Sequence, residues 1–323
     1  MAINPLAHKS TKDLVKMKAG LVTKHNLSKL ETPSQYASQV FAMCPPVYVD
    51  NKINNNVWMK GSDKPIDKTV FMAQWKNLYH LIASEAIVFL VTPVKGLQDQ
   101  VYLNSAVYLP NVKTDTIILS NFTAEGRAGE EIVAGSLFAD LGYEVIKCPY
   151  KFEAEPELKY LRDNIYIGGY GVRTDSQAHV WLKNNFDCNI VMVKETDTKL
   201  YHLDCMALPL GKEDLMLCTA LVEPEQLKKV EKVCNVVPVS KNSAYMGICN
   251  SLKLEDVIFN SSKLQFMKKS DEDYDKERKK NDELEKICGT MGIEIVYVDL
   301  SECEKSGAYL SCYFMGLTNK AYR

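Results

Sequence analysis

Short β-branched runs and amphipathic helical stretches alternate along most of this chain, and that alternation constrains the fold more than any other feature. Apolar residues recur at helical spacing from Asp67 to Ala86, and Ile87–Val91 follows as a predicted strand. The same order returns with a helix over Gly129–Leu141 and, near the C-terminus, with a charged helix over Ser270–Thr290 and a strand over Ile293–Val298. Four or five units of strand, strand, helix and strand therefore predict one α/β architecture.

The chain divides into two parts of different character. Residues 1–42 are polar with mixed turn and helix signals, and we predict that they form an N-terminal extension to a single catalytic domain over 43–323. A strand is predicted over Leu200–Leu208, and it would carry His202 and Asp204 on the same face because side chains alternate along a strand.

Composition excludes several classes of partner. Lys and Arg number 39 against 41 Asp and Glu, so the net charge of −2 provides no basic field for nucleic acid or an anionic membrane. The sequence has no apolar run of about 20 residues that could span a bilayer, and its first residues do not resemble a signal peptide. We predict a cytoplasmic protein, with an organelle matrix and a homo-oligomer left open as alternatives.

Ten cysteines are spread along the chain without a CxxC pair, which fits a reducing compartment better than a disulfide framework. Neither the cysteines nor the five histidines show the spacing of metal ligands. No metal site is therefore expected.

One cysteine has the context of a nucleophile. Gly307-Ala308 is a turn-permissive pair that delivers Cys312 to the head of an apolar run, so the thiol is predicted at a strand end that faces a cleft. His202 and Glu153 supply the other two parts of an activated thiol, because a histidine can take its proton and a carboxylate can orient the imidazole. Glu155 and Glu157 are close enough in sequence to Glu153 to compete for that orienting role.

The charge of the constellation indicates its electrophile. A further carboxylate, Asp204, beside a cysteine–histidine pair would repel an oxyanion and attract a cation. The arrangement favours a positively charged carbon, such as that of a guanidinium or an amidinium.

Short motifs in one order extend this interpretation from Cys44 to Leu317. They are Asn56-Val-Trp-Met59, Gln74-Trp75, Gly96-Leu-Gln-Asp99 through Ala106, Arg127 with Glu130, Gly169-Tyr-Gly-Val-Arg173-Thr-Asp175, Tyr201-His-Leu-Asp204 and the Cys312 segment. Together they resemble the guanidino-group-modifying enzymes, which include arginine deiminases, arginine dihydrolases, dimethylarginine dimethylaminohydrolases and amidinotransferases. An ordered set of motifs is far more specific than any single one.

The resemblance implies an α/β propeller of five blades with pseudo-fivefold symmetry and a cofactor-independent hydrolase acting on a small guanidino compound. It implies Cys312 as the nucleophile, His202 as general acid and base, and Glu153 as the partner of His202. The implied substrate-binding residues are Asp204, Asp99, Arg127, Arg173, Asn56 and Ser105, with the two arginines as carboxylate ligands.

Three positions depart from the family pattern. Ser105 stands where relatives have an aspartate or asparagine, the usual Glu-Gly-rich turn reads Glu153-Ala-Glu-Pro-Glu157, and the Gly-Gly before the nucleophile is Gly307-Ala308. We predict hydrolysis of arginine or a close relative. A dimethylarginine hydrolase, an amidinotransferase and a non-catalytic relative that binds arginine or a protein partner remain as alternatives.

Overall fold

The computed structural model describes residues 31–60 and 65–318. Within these ranges the helices are α1 Lys68–Ala83, α2 Glu130–Asp140, α3 Ser176–Asn185, α4 Pro224–Glu231, α5 Lys241–Tyr245, α6 Tyr274–Met291 and α7 Ser301–Glu304. The first six strands are β1 Val40–Met43, β2 Ile87–Leu90, β3 Ala106–Tyr108, β4 Thr116–Leu119, β5 Glu144–Lys147 and β6 Leu158–Arg162. The next five are β7 Ile165–Tyr170, β8 Asn189–Lys194, β9 Ala207–Pro209, β10 Asp214–Leu217 and β11 Asn235–Pro238. The last four are β12 Leu252–Leu254, β13 Val257–Ser261, β14 Glu294–Val298 and β15 Met315–Gly316.

The strands form five sheets of three strands each: β15-β1-β2, β3-β4-β5, β6-β7-β8, β9-β10-β11 and β12-β13-β14. In every sheet the central strand pairs antiparallel with one neighbour and parallel with the other. A parallel partner needs a crossover, and one helix supplies it in each sheet. The prediction of one α/β architecture built from repeated units is confirmed, and five of these units lie in the described part of the chain.

The first sheet joins the two ends of the described chain. Its strands β1 and β2 come from the N-terminal part, whereas β15 pairs antiparallel with β1 through Phe41 and Gly316. A cavity of about 90 Å³ is lined by residues of all five sheets, among them Phe41, Tyr108, Leu158, Leu208 and Leu252. The five sheets therefore surround a common interior space.

Helix α1 illustrates how the sequence determines an element. It begins after Asp67, whose carboxylate accepts hydrogen bonds from the backbone nitrogens of Thr69 at 2.9 Å and Val70 at 3.1 Å, as an N-cap residue does. The buried face consists of Phe71, Trp75, Leu78 and Ile82, which recur at helical spacing. This amphipathic stripe packs the helix against its sheet.

Two local predictions were wrong. Residues 200–206 do not form a strand: Leu203–Cys205 is a single 3-10 turn, and β9 begins only at Ala207. Cys312 lies within the 3-10 turn Leu310–Tyr313, three residues before the start of the strand β15 rather than at its head. In both places the apolar side chains that suggested a strand are buried, although the backbone forms a 3-10 turn.

The predicted N-terminal extension falls mostly on residues 1–30, which lie outside the described residues. Its last part, Val40–Met43, is β1 and pairs with two other strands, so the first sheet begins before residue 43. None of the helices in the described ranges has the length and apolar character needed to cross a membrane.

Candidate active site

The predicted site residues lie on irregular segments that connect the sheets, and most of them line one small polar cavity. Its free space is about 20 Å³, enough for about one water molecule. The lining residues are Asn55, Asn56, Asp99, Tyr102, Asn104, Arg127, Glu153, Arg173, Tyr201, His202, Ser306, Ala308 and Cys312. The cavity thus brings together a thiol, an imidazole, two carboxylates and two guanidinium groups.

Cys312 occupies the turn that closes one side of the cavity. Asn250 lies beside it, with its amide nitrogen 3.6 Å from Cys312 Sγ, and Asn250 Oδ1 also accepts a hydrogen bond from the backbone nitrogen of Ser311 at 2.9 Å. Burial, followed by the nearby charge of Asp204, raises the pKa of the Cys312 thiol to about 12. Without a bound cation the sulfur is therefore a neutral thiol at pH 7.

His202 and Glu153 form a buried pair. His202 Nε2 lies 2.7 Å from Glu153 Oε2, and the other carboxylate oxygen accepts from the backbone nitrogen of Thr123 at 3.1 Å. Burial alone would raise the pKa of Glu153, but the hydrogen bond and charge of His202, together with Arg173, lower it to about 2. Of the three carboxylates that could orient the imidazole, Glu153 is the one in contact with it.

Asp204 is held close to Cys312, although it does not line the cavity. Its Oδ2 accepts a hydrogen bond of 2.6 Å from the hydroxyl of Ser311, the residue that precedes Cys312. The contact joins the turn of His202 to the turn of Cys312. The side chain reaches this position from a 3-10 turn and not, as predicted, from an extended strand.

Asp99 offers the cavity an unsatisfied acceptor. Its Oδ2 accepts a hydrogen bond of 2.6 Å from Asn55, whereas Oδ1 is buried without a hydrogen-bond partner in the described residues. Burial raises the pKa of Asp99, and Arg127 opposes that effect without cancelling it. A buried acceptor of this kind costs free energy until a donor reaches it.

Arg127 differs from the role that the sequence predicted for it. Its guanidinium forms an ion pair of 2.6 Å with Glu130 and donates to the carbonyl oxygens of Tyr102 at 2.6 Å and Asp99 at 3.3 Å. Four acceptor atoms on these three residues occupy Nε and Nη2. Although Arg127 lines the cavity, its main contacts hold the Asp99–Tyr102 segment in place.

Arg173 and Asn56 connect the loop of residues 51–60 to the cavity. Arg173 lies 3.4 Å from Glu153, donates to the carbonyl oxygen of Asn55, and stacks over the ring of Tyr201. Asn56 Nδ2 donates to the carbonyl oxygen of Ser306 at 2.8 Å. These contacts hold the loop over the cavity.

Gly307 is required where this loop approaches the turn of Cys312. Its φ is +68°, and an added Cβ would lie 2.7 Å from Asn56 Oδ1 and 2.8 Å from Trp58 Cβ. A side chain at this position would therefore push the loop off the cavity.

Ser105 does not line the cavity. Its hydroxyl is fully buried and has no hydrogen-bond partner in the described residues, while the adjacent Asn104 contributes to the lining. The structure therefore places the amide of Asn104, and not the hydroxyl of Ser105, at the cavity.

Sequence reasoning also missed Asn250 and Tyr102. Asn250 contacts the thiol from the segment before β12, and no motif marked it. Tyr102 lies within the motif that runs from Gly96 to Ala106, but the motif predicted no role for it. No cluster of three metal-ligating side chains is found in the residues that the structure describes.

The described chain thus combines five small three-stranded sheets with a cavity that is lined by a cysteine, a histidine and a glutamate. Homologues of this chain are members of the guanidino-modifying, amidinotransferase-like superfamily, and the resemblance predicted from the motifs is confirmed. No protein-family model matches the chain.

Two of these relatives are cyanobacterial. The chain is 26% identical over 286 residues to the bifunctional arginine dihydrolase/ornithine cyclodeaminase AgrE of Nostoc sp. strain PCC 7120. The matched region is 86% of this chain and 38% of AgrE. It is 28% identical over 224 residues to ArgZ of Synechocystis sp. strain PCC 6803, a protein of the same description, covering 67% of this chain and 31% of ArgZ. The chain therefore spans about a third of the length of these two relatives.

A third relative represents another branch. The dimethylarginine dimethylaminohydrolase of Mycobacterium tuberculosis is 28% identical over 165 residues, 51% of this chain and 53% of that protein. Among solved structures, unliganded AgrE superposes with a TM-score of 0.76 at 26% identity, covering 87% of this chain and 39% of AgrE. A complex of a cysteine-to-alanine mutant of AgrE with L-arginine matches equally well, with a TM-score of 0.76 at 25% identity over 87% of this chain and 40% of the other.

Proposed function

We propose that this chain is a hydrolase that cleaves C–N bonds in the guanidine group of arginine or a closely related free guanidino compound. The observation that carries the proposal is the single cavity in which Cys312, the His202–Glu153 pair and the unpartnered Oδ1 of Asp99 all lie. A thiol beside a general base supports nucleophilic catalysis, and a buried carboxylate without a donor suits a cationic substrate.

The proposed first step begins when the guanidinium enters. Its positive charge opposes the effects of burial and of Asp204 that keep Cys312 protonated, and His202 accepts the thiol proton. The thiolate attacks the guanidinium carbon and forms a C–S bond. When one C–N bond breaks, its electron pair leaves with the nitrogen, and the imidazolium of His202 gives that nitrogen its proton.

The second step returns the enzyme to its starting state. Water loses a proton to His202 as its oxygen attacks the carbon of the S-linked amidine, and the C–S bond then breaks with its electron pair on sulfur. The thiolate recovers a proton from His202, the urea oxygen loses its remaining proton to solvent or to the released amine, and the neutral ureido product leaves. Glu153 stabilises the imidazolium in both steps, since it stays ionised with a pKa of about 2.

Binding would be divided between the two ends of the substrate. Asp99 Oδ1 and Asn104 would receive the N–H groups of the guanidinium, with Asp204 adding negative charge from behind the turn. Arg173 would bind the carboxylate with the N–H groups that its contacts to Glu153 and Asn55 leave over, because Arg127 donates to Glu130 and to two carbonyl oxygens. Asn56 would lie at the rim and hold the loop over the bound molecule.

The scaffold supports this assignment. We propose that the five sheets are the blades of a pseudo-fivefold α/β propeller, with the residues that precede β1 as an N-terminal extension to a single catalytic domain. The ring of strands around one cavity and the antiparallel pairing of β1 with β15 support this arrangement. A small molecule in the cytoplasm is the proposed substrate, and the reaction class is hydrolysis of C–N bonds other than peptide bonds in linear amidines.

Product analysis by mass spectrometry tests the function. The protein would be incubated with arginine, with dimethylarginine and with arginine plus glycine, and with Cys312→Ser as the matched control. Ammonia and a ureido or amino-acid product from arginine are expected. Release of dimethylamine would assign the dimethylarginine branch, transfer to glycine would assign an amidinotransferase, and no turnover of any guanidine would refute the enzymatic proposal.

A further inference from the structure

Two buried carboxyl groups have no place in the proposed mechanism. Glu157 ends the 3-10 turn that begins two residues after Glu153, and Glu195 directly follows β8. Their exposed fractions are 0% and 2%. An added Cβ on Gly169 would collide with Glu195 Oε1 and Glu157 Oε2, so both carboxyls converge on the space that this glycine leaves free.

The hydrogen bonds of these two groups are incomplete unless a proton lies between them. Glu157 Oε2 accepts a hydrogen bond of 3.1 Å from the backbone nitrogen of Leu203, the residue after His202. In the described part of the chain no donor reaches Glu157 Oε1 or either oxygen of Glu195. Ionised carboxylates only accept hydrogen bonds, and two of them side by side repel each other. One protonated carboxyl would satisfy both groups.

We propose that Glu157 and Glu195 share one proton and act as positioning residues, which hold the backbone of Leu203 and through it the imidazole of His202. The role in catalysis rests on the proposed function, whereas the shared proton does not. The glycine at position 169, noted in the sequence as part of a motif, makes room for the pair.

Electrostatics agrees with this arrangement. Burial raises the pKa of both carboxyls, and the charge of Glu157 raises that of Glu195 further, so the proton resides on Glu195 and is donated to Glu157. The other titratable groups that face the pair are Glu153, His202, Asp204, Cys205 and, beneath Gly169, His179. Burial lowers the pKa of His179 to about 4, so this residue stays neutral and does not supply the missing proton.

A pair that carries one negative charge instead of two would also suit the chemistry. Glu153 and Asp204 already place two carboxylates near His202, and two more would stabilise the imidazolium so strongly that it would release its proton slowly. Sharing a proton removes one of these charges. It also keeps the Leu203 backbone bonded to an ionised acceptor.

The shared proton is tested by the pH dependence of unfolding, which needs no substrate. Folding takes up a proton above the ordinary pKa of glutamate, so the pair stabilises the fold less as pH rises, with about a tenfold loss in the folding equilibrium constant per pH unit for one proton. In Glu195→Gln the amide donates in place of that proton, and the slope should fall by one proton. Glu225→Gln, on an exposed carboxyl, should keep the wild-type slope.

Infrared spectroscopy provides a direct second measurement. The wild-type protein at pH 7 should show the carbonyl band of a protonated carboxyl that is missing in Glu195→Gln. An unchanged unfolding slope together with an unchanged band would overturn the shared proton, whatever the enzyme does with guanidines.

The positioning role is tested on turnover. Glu157→Ala leaves the Leu203 nitrogen without its acceptor, and kcat should fall at least tenfold with KM nearly unchanged, because neither residue lines the cavity. Glu157→Gln retains an oxygen for Leu203 and should recover most of kcat. A Glu157→Ala protein that is folded and has wild-type kcat would contradict the role, and absence of turnover in the wild type would refute the proposed function while the unfolding test still stands.

Discussion

Glu153 and Asp99 are two buried carboxylates that line one cavity, and their surroundings differ. Both Glu153 oxygens are satisfied, by His202 and by backbone nitrogens, and its pKa is lowered to about 2. Asp99 has one bonded oxygen and one free oxygen, and burial raises its pKa. We infer that the catalytic side is complete before substrate arrives, whereas the binding side is completed by the substrate.

The difference in pKa between the two carboxylates follows from their neighbours. Arg127 is directed to Glu130 and to backbone carbonyls, so it lowers the pKa of Asp99 only through space. His202 instead bonds directly to Glu153. Similar residue types thus give one carboxylate that orients a base and another that awaits a cation.

The largest expected effect on turnover comes from changing Glu153, the carboxylate whose hydrogen bonds are complete. Glu153→Gln removes the charge that stabilises the imidazolium of His202, and kcat should fall by about 10² to 10³-fold with little change in KM. Steady-state kinetics with the preferred guanidine measures both constants. A variant whose kcat is within threefold of wild type would remove the distinction between the two carboxylates.

The same contact predicts the behaviour in acid. The folded-state pKa of Glu153, about 2, lies below its unfolded value, so its stabilisation is fully present above about pH 5 and is lost as pH falls toward 2. The contribution is on the order of 3 kcal/mol. Denaturant unfolding from pH 6 to pH 3 should show a shallower loss of stability in Glu153→Gln than in the wild type, and parallel curves would contradict the assignment.

A change at Asp99 should reduce catalysis less than a change at Glu153, and it should not destabilise the fold. Asp99→Asn removes the charge that would receive the guanidinium, and kcat/KM should fall by about 10²-fold. The fold should be at least as stable as the wild type, because an amide is buried at lower cost than an unpaired carboxylate. Kinetics and thermal unfolding of the same preparation decide this, and a destabilised protein would show that Asp99 is structural.

The smallest effect separates the two arginines. Arg173→Met should raise KM by about tenfold for substrates that carry a carboxylate and leave KM for methylguanidine unchanged. Arg127→Met should instead destabilise the fold by about 3 kcal/mol, because it leaves Glu130 buried and unpaired. If both variants changed KM equally and neither changed stability, the two guanidinium groups would share one role.

The sequence predicted the regular parts of the molecule better than the site. Helix α1 and its apolar stripe follow from helical spacing, and the repeated strands follow from β-branched runs. Cys312 lies instead on a 3-10 turn and His202 directly before another, where apolar residues are buried by tertiary packing and local patterns do not distinguish turn from strand. The error at Leu200–Leu208 has this origin.

The hydrogen-bond partners of Arg127 could not be predicted from the sequence. Its partner Glu130 was noted beside it, but the carbonyl oxygens of Asp99 and Tyr102 meet the guanidinium only after folding. Asn250 precedes β12 and is 62 residues from Cys312 in sequence, so its contact with the thiol was missed for the same reason. Long-range contacts of this kind require the arrangement of the sheets.

The most direct test incubates the protein with a haloacetamidine and then measures its intact mass and maps its peptides. It shows whether the Cys312 sulfur displaces the halide and forms a thioether with the amidine probe. We predict one adduct, located on Cys312 among the ten cysteines and slowed by excess arginine, with none in Cys312→Ser. Labelling of another cysteine at an equal rate, or no labelling while the protein is folded, would contradict the assignment of Cys312 as the nucleophile.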